Sequence, residues 1–132
     1  MRDFQRQRVY NWEQMEYGWD DTMLTLEQCQ AYTNRLIDNV RVTDGRGRRR
    51  ACAKYQSRTI ALPKHTRKKW SIIHEVAHFI AWNDHHGPVF VDEYIKLLAR
   101  EYGRSIDSLR DSALEFGLKV GPQPAPTKDK DI

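Results

Sequence analysis

The sequence predicts a single α+β domain over residues 1–120, with an N-terminal helix, a three-stranded antiparallel meander, a central helix and two closing helices. Three observations favour this class. Apolar residues follow helical periods on both sides of three short strand-like runs, glycines separate two of those runs, and 132 residues suffice for one core. Residues 121–132 are rich in proline and charge, and we expect them to form a disordered tail.

The N-terminal part of the chain gives two different signals. Residues 1–22 are rich in aromatic side chains without a clean period, which is typical of a strand or an irregular arm packed over the core. The sequence Thr25-Leu26-Glu27-Gln28 has the form of a capping box, so a helix is predicted to begin there and to end near Asp38.

Three strands are predicted next. Residues 40–43 and 50–55 flank the sequence Asp44-Gly45-Arg46-Gly47, which is typical of a hairpin turn. Residues 58–62 form a third run, which Pro63 ends. Because each run is separated from the next by a short turn, we expect an antiparallel meander that leads directly into the central helix.

Three helices are predicted to follow the strands. Thr66 is the expected N-cap of the central helix, Pro88 suits the first turn of the next, and Gly103 suits its end. Ser105 is the expected N-cap of the last. The predicted boundaries are Thr66 and Asn83, Pro88 and Gly103, and Ser105 and Phe116.

The central helix contains an H-E-x-x-H motif, His74-Glu75-Val76-Ala77-His78. Residues four apart lie on the same face of a helix, so both imidazole rings can bind one metal ion. Glu75 lies beside that position, where its carboxylate can hold a water molecule and act as a general base. The motif therefore predicts a hydrolase with one Zn²⁺ ion.

A catalytic zinc site usually has three protein ligands and one open position, so a third ligand is required. His85 and His86 follow the predicted end of the helix. Adjacent residues in an extended loop point in opposite directions, so only one of the two is expected to bind. Asp84 and Glu93 are the remaining candidates.

The motif and the later sequence His86-Gly87-Pro88-Val89-Phe90 together resemble the active-site region of SprT-like zinc metallopeptidases. Within that group the chain is most similar to the small single-domain metallohydrolases of actinobacteria and their phages. The match covers residues 58–102. It implies a minimal zincin-like fold, a polypeptide substrate, and His86 as the third metal ligand. The zinc ribbon of better-known SprT proteins requires more than the two cysteines present.

The resemblance also implies a substrate strand and a donor for the oxyanion. In zincins the edge strand before the metal-binding helix pairs with an extended substrate. The corresponding residues here are Arg58, Thr59, Ile60, Ala61 and Leu62. Tyr94, His85 and His65 are the candidates for a hydrogen-bond donor to the oxyanion.

Residues 37–70 are strongly basic. Arg46, Arg48, Arg49 and Arg50 form one cluster, and residues 64–69 contain another. Such patches can hold nucleic acid without sequence preference, and the alternative is a solvated turn. SprT-like proteases are linked to proteins attached to DNA, but their zinc ribbon is absent here, and it is the two basic clusters that predict weak, non-specific DNA binding.

The rest of the sequence limits where the protein is expected to be found and which functions it can have. No apolar stretch is long enough to span a membrane, and Cys29 and Cys52 lack metal-binding spacing, so we expect a cytoplasmic monomer with reduced thiols. Besides a peptidase, the motif is compatible with three other functions: a zinc hydrolase of a non-peptide substrate, a repressor-cleaving regulatory peptidase, and a non-catalytic DNA-binding module stabilised by zinc.

Overall fold

The computed structural model describes residue 3 and residues 5–121, and their fold is α+β. The part of the chain expected to form the tail lies outside these residues from position 122 onward. A 3₁₀ turn, Lys64–Thr66, precedes the central helix. The other elements are α1 (Arg6–Tyr17), α2 (Leu26–Leu36), β1 (Arg41–Thr43), β2 (Cys52–Lys54), β3 (Thr59–Ala61), α3 (Lys69–Ile80), α4 (Pro88–Tyr102) and α5 (Ile106–Glu115).

The segment before the predicted first helix is itself a helix, α1, and the expectation of a strand or an irregular arm was wrong. Val9, Trp12 and Tyr17 lie on its buried face and are fully shielded from solvent. Glu13 lies on the same face and is buried as well. A charged residue inside the apolar stripe breaks the helical pattern that the sequence would otherwise have shown.

The ends of α2, α4 and α5 confirm the predicted capping residues. Thr25 and Gln28 form a reciprocal capping box at the start of α2. Pro88 begins α4, and Gly103 ends it in the left-handed conformation. Ser105 accepts a hydrogen bond from the third residue of α5.

The central helix α3 is shorter than predicted at both ends. Thr66 does not cap it, because its hydroxyl group donates to the carbonyl oxygen of Pro63 (2.7 Å) within the 3₁₀ turn. The helix ends at Ile80, and Ala81 leaves the helical region with φ −113° and ψ 50°. A tight connection of turns from there to Pro88 brings the chain back beside α3.

The three strands form one sheet in the order β1-β3-β2, so the predicted antiparallel meander was wrong. β3 is the central strand and pairs in parallel with β1 and antiparallel with β2. The Asp44–Gly47 turn does form, with the Arg48 N–H donating to the Gly45 carbonyl oxygen (3.0 Å). The segment 44–51 nevertheless carries the chain past the end of β3 instead of pairing the strands on either side of it.

Segment 44–51 is fixed against the residues that follow β3. Gly45 has φ +63° and lies so close to Pro63 that a Cβ atom would collide with its ring. The Arg67 guanidinium donates to the carbonyl oxygens of Leu62 (2.9 Å) and Asp44 (3.3 Å). The position of β2 is therefore set by the loop that leads into it.

The core lies between the sheet and the helices. α3 packs against α2, α4 and β2, and α5 packs against α4. Ile72, Ile73 and Val76 of α3 are fully buried, so α3 is a central element of the domain. Among the described residues, none of the helices combines the length and the apolar character that a membrane crossing requires.

Candidate metal centre

Three histidines from α3 and the following loop meet at one point. The Nε2 atoms of His74 and His78, one turn apart, are 3.2 Å from each other. His86 places its Nε2 atom 3.3 Å from that of His74 and 3.2 Å from that of His78. These three ring nitrogens therefore form a nearly equilateral triangle.

This triangle has the dimensions of a metal site. Tetrahedral zinc with Zn–N bonds of about 2.0–2.1 Å requires ligand nitrogens about 3.3–3.4 Å apart. Within the described part of the chain, these histidines form a group whose ligand atoms lie close enough together to bind one metal ion. The sequence motif supplies two of the three positions, and the loop supplies the third.

Two carboxylates fix the orientation of the rings. His74 Nδ1 donates to Glu13 Oε1 (2.7 Å), and His86 Nδ1 donates to Asp3 Oδ2 (2.7 Å). A proton held on Nδ1 leaves the Nε2 lone pair of that ring available to a metal ion. Glu13 and Asp3 thereby select the ring nitrogens that face the common point.

Tyr94 of α4 forms a hydrogen bond with Glu13. Its hydroxyl group donates to Glu13 Oε1 (2.7 Å), and its ring is fully buried. Burial and the adjacent Glu13 carboxylate raise the pKa of Tyr94 well above its ordinary value. Tyr94 was a candidate donor to the oxyanion, but its hydroxyl group donates to the Glu13 carboxylate on the Nδ1 side of His74.

The loop after α3 explains why His86 reaches the site. His85 is exposed and has a left-handed backbone (φ 55°), so the chain turns sharply there instead of running extended as predicted. Asp84 is occupied elsewhere, since its carboxylate accepts the Phe90 N–H (3.0 Å) in the first turn of α4. Glu93 pairs with Lys96 on the surface of α4.

Protonation differs among the three rings. Burial lowers the pKa of His78, and it lowers that of His86 to about 4. Burial opposes charge on His74 as well, but the Glu13 and Glu75 carboxylates outweigh it and raise its pKa to about 9. In the metal-free protein His74 is therefore protonated on both ring nitrogens. Its Nε2–H can donate a hydrogen bond to the neutral ring of His78 or His86. A metal ion bound by the three rings would displace that Nε2 proton.

Glu75 lies beside the triangle and is only 6% exposed. Burial raises its pKa to about 7, although the nearby His74 charge and a hydrogen bond from the Ala53 backbone N–H act in the opposite direction. A carboxyl group with this pKa can take up and release a proton near neutral pH.

Tyr10 of α1 covers the metal centre. Its ring stacks on His74 with a centroid distance of 5.9 Å and an interplanar angle of 23°, and its edge meets His86 at 5.4 Å. Two cavities, of about 480 and 370 Å³, share Tyr10, Ala51, His74 and Glu75 in their walls. The centre therefore lies where two halves of one cleft meet.

Tyr10, Glu13 and Asp3 contact the histidines although no sequence motif contains them. Tyr10 and Glu13 are three residues apart on α1, and this spacing would have suggested a shared face if the segment had been identified as helical. No sequence signal connects Asp3 with His86, since 83 positions separate them.

The strand expected to pair with substrate was wrongly assigned. Of the predicted residues, Thr59, Ile60 and Ala61 form β3, whose backbone is paired with a strand on each side. Arg58 lies in the turn before β3, and its side chain donates to the carbonyl oxygens of Asp38 (2.6 Å) and Asn39 (3.1 Å). The edge strand next to the cleft is β2.

The other candidate donors and the arginine cluster lie around the cleft. His65 is exposed and donates to the Arg49 carbonyl oxygen (2.7 Å), and so holds segment 44–51 against the 3₁₀ turn. Arg49 and Arg50 line the larger half of the cleft, whereas Arg46 and Arg48 line a separate shallow cavity.

Comparison of the chain with protein-family models, curated proteins and solved structures returns no match.

Proposed function

We propose that the chain is a zinc-dependent metallopeptidase of the SprT-like kind, with Glu75 as its general base. One observation carries this proposal. Glu75 and the three converging imidazoles line one cleft beside an edge strand, so a proton acceptor, a metal site and a binding place for an extended chain adjoin each other.

Zinc is the ion that fits the ligand set best. His74, His78 and His86 would hold the ion through three imidazoles at tetrahedral spacing, the number of protein ligands that catalytic zinc sites use. When bound, such an ion supplies a lowered pKa for water and polarises a carbonyl group.

Glu75 performs the proton transfers in this proposal. Its carboxylate accepts a proton from water as the oxygen attacks the peptide carbonyl, and the same proton then passes to the leaving nitrogen. In the metal-free protein burial raises the pKa of Glu75 to about 7, and a bound cation would act against that rise and favour the carboxylate form. Glu75 lies near Ala53 of β2, whose backbone N–H lowers the pKa of its carboxyl group, and β2 is an edge strand of the sheet.

β2 is the proposed substrate strand. An extended polypeptide gains main-chain hydrogen bonds when it pairs with an open sheet edge. Ala51 and Ala53 have small side chains and line the cleft at this edge, which leaves space for a second chain. Tyr10 lies across the cleft, and its ring position next to both His74 and His86 makes it the proposed oxyanion donor.

The test is hydrolysis of unfolded polypeptides by the zinc-loaded protein, followed as the appearance of new amino termini. We expect activity that a chelator removes. Glu75→Gln should bind one equivalent of zinc and lose at least ~100-fold in rate, because the amide accepts no proton. Tyr10→Phe should lower kcat more than it raises KM, since an oxyanion donor acts in the transition state.

Two results would reject the proposal. One is near-normal turnover by Glu75→Gln, which would remove the general base. The other is the absence of hydrolysis by the zinc-loaded wild type on a range of unfolded polypeptides, which would leave a non-peptide substrate or a non-catalytic role.

A further inference from the structure

The larger half of the cleft, about 480 Å³, contains a group of cations that the hydrolytic chemistry does not use. Arg49 and Arg50 enter it from segment 44–51, and Lys68 enters it from the residue before α3. These cations lie in the same cavity wall as Glu75, so a group bound there would be adjacent to the proposed reaction centre.

Two of these cations, Arg50 and Lys68, contact aromatic rings and not carboxylates. The Arg50 guanidinium lies 4.3 Å from the centroid of the Tyr10 ring, and the Lys68 ammonium lies 5.5 Å from that of Trp70. Neither these two residues nor Arg49 forms an ion pair with an acidic residue of the described part of the chain. Cation–π contacts orient such groups while leaving their N–H donors available.

Two carboxylates, Glu13 and Glu75, also line this cavity, and neither forms an ion pair with Arg49, Arg50 or Lys68. Glu13 accepts hydrogen bonds from His74 and Tyr94, so its charge is compensated behind the metal centre. Glu75 lies next to His74, whose charge lowers the pKa of its carboxyl group. Three cations therefore remain to attract an anionic group.

The other half of the cleft has a different character. Tyr55 stacks on Trp82 with a centroid distance of 4.8 Å and an interplanar angle of 17°, and Phe79 lies beside Tyr55 at 6.0 Å. These aromatic rings line the cavity that contains His78 and His86. The cleft thus has three cations on one side of Glu75 and an aromatic group on the other, where Arg6 and Asp3 also line the wall.

We propose that the cationic half of the cleft is a subsite for a carboxylate group of the polypeptide substrate, bound by Arg50 and Lys68. This inference rests on the proposed peptidase function and specifies its substrate class. Arginine binds a carboxylate through two parallel N–H···O bonds, and lysine adds a point charge. The carboxylate can belong to an Asp or Glu side chain or to the end of the substrate chain.

The direction of β2 determines which part of the substrate reaches this subsite. β2 runs from the Arg49–Ala51 side of the cleft toward Tyr55. A substrate paired antiparallel to β2 places its C-terminal part next to the beginning of the strand. In that antiparallel pairing the bound carboxylate lies on the C-terminal side of the bond that is cleaved.

The experiment measures peptide binding to the full-length, zinc-loaded Glu75→Gln protein by calorimetry, so that no hydrolysis is required. The probes are two end-capped peptides that differ only in Glu against Gln, and a third with Gln and an uncapped C-terminus. We expect tighter binding, by about tenfold, of a peptide that carries a carboxylate. The stronger of the two carboxylate peptides identifies whether a side chain or a chain end is the source.

Variants separate a specific subsite from general attraction. Arg50→Gln and Lys68→Gln should each reduce the preference for Glu over Gln by at least threefold. Arg41→Gln, an equal loss of charge on β1, should leave it unchanged, because the exposed Arg41 lies on the opposite side of β3. Arg50→Glu should transfer the preference to a Lys peptide, and its zinc stoichiometry reports whether it folds.

Equal binding of all three peptides would overturn the inference, and so would a preference that Arg41→Gln reduces as much as Arg50→Gln does. The proposed function fails separately. A carboxylate preference without hydrolysis by the wild type would reject only the peptidase proposal, whereas hydrolysis without that preference would reject only the subsite.

Discussion

Glu13 connects α1 to the metal centre, since one of its oxygens accepts hydrogen bonds from His74 Nδ1 and from the Tyr94 hydroxyl group, both at 2.7 Å. A carboxylate that accepts a hydrogen bond from the other ring nitrogen of a metal-binding histidine orients the ring and increases its basicity. We expect Glu13→Gln to weaken zinc binding by ~10–100-fold while keeping one equivalent per chain. Competition with a chromophoric chelator measures this affinity.

Glu16→Gln is the matched control for this prediction. Glu16 lies on the same helix, but its carboxylate pairs with Arg104 and accepts a hydrogen bond from Ser112. The variant should lose stability without losing zinc affinity. Equal affinity of Glu13→Gln and wild type would show that Glu13 has no part in tuning the site.

The neighbouring residues His85 and His86 allow a direct test of the third ligand. His86→Ala should lose most of its zinc affinity, because the Nε2 atom at 3.2–3.3 Å from the other two is removed. His85→Ala should retain the affinity of the wild type, since His85 is exposed in the turn. Zinc titration of the two variants measures both affinities. A larger loss of affinity in His85→Ala than in His86→Ala would assign the third ligand to His85.

At the scale of single residues, local spacing made part of the site predictable. His74, Glu75 and His78 lie on two adjacent turns of one helix, so the motif alone places them together. His86 follows within eight residues of His78, where loop geometry restricts the choice. Glu13 is 61 residues from His74, and no pattern of nearby residues reports a contact over that distance.

At the scale of elements, a carboxylate on α4 joins that helix to α2. Glu101 accepts hydrogen bonds from the Tyr32 hydroxyl group (2.8 Å) and from Arg100 Nε (3.0 Å). Burial alone would raise the pKa of Glu101, but these two hydrogen bonds and the arginine charges lower it. The ionised form is therefore favoured in the folded protein.

This shift predicts a dependence of stability on pH. A lowered carboxyl pKa stabilises the fold above the ordinary glutamate pKa, about 4.3, and the stabilisation is lost as the pH falls through the lower folded-state pKa. Glu101→Gln should therefore cost ~1 kcal/mol at pH 7 and less at each step toward pH 3. Urea unfolding in the presence of a chelator measures the difference without a contribution from metal.

Glu93→Gln provides the comparison on the same helix, because the Glu93 carboxylate pairs only at 3.6 Å with the half-exposed Lys96. Its effect should be smaller than that of Glu101→Gln at pH 7. A free-energy difference for Glu101→Gln that does not change with pH would contradict the assigned cause.

Capping residues made the ends of α2, α4 and α5 predictable, since a cap is a local hydrogen bond between residues close in sequence. The order of the strands was not predictable in the same way. The Asp44–Gly47 turn does form, but β1 and β2 do not pair with each other as they would in a hairpin, because β3 lies between them. That choice depends on packing against α2 and α3, which no local pattern reports.

DNA binding by the arginine-rich surface remains a prediction. Arg46 and Arg48 are exposed and line a shallow cavity with Lys64, away from the arginines of the cleft. We predict weak, non-specific binding that decreases as salt rises, because phosphate contacts release counterions. A mobility-shift titration at several salt concentrations measures it.

The triple change Arg48→Ala, Arg49→Ala and Arg50→Ala should weaken this DNA binding further. Arg46→Ala with Arg48→Ala is the informative control, since it removes two charges outside the cleft. No shift at micromolar protein, or a shift indifferent to the triple change, would leave these arginines as a solvated turn.

The segment before α1 ties distant parts of the chain together at His86. Asp3 binds the His86 ring, and the Gln5 amide donates to the His86 carbonyl oxygen (2.8 Å) while accepting the backbone N–H of Lys119. The two histidines of α3 can approach each other as soon as that helix forms, whereas the third waits for contacts that span 83 and 114 positions. Closing a loop of such length costs more chain entropy than forming contacts within one helix. The complete set of three imidazoles therefore requires that the segment before α1 has closed onto His86 as well as that α3 has formed.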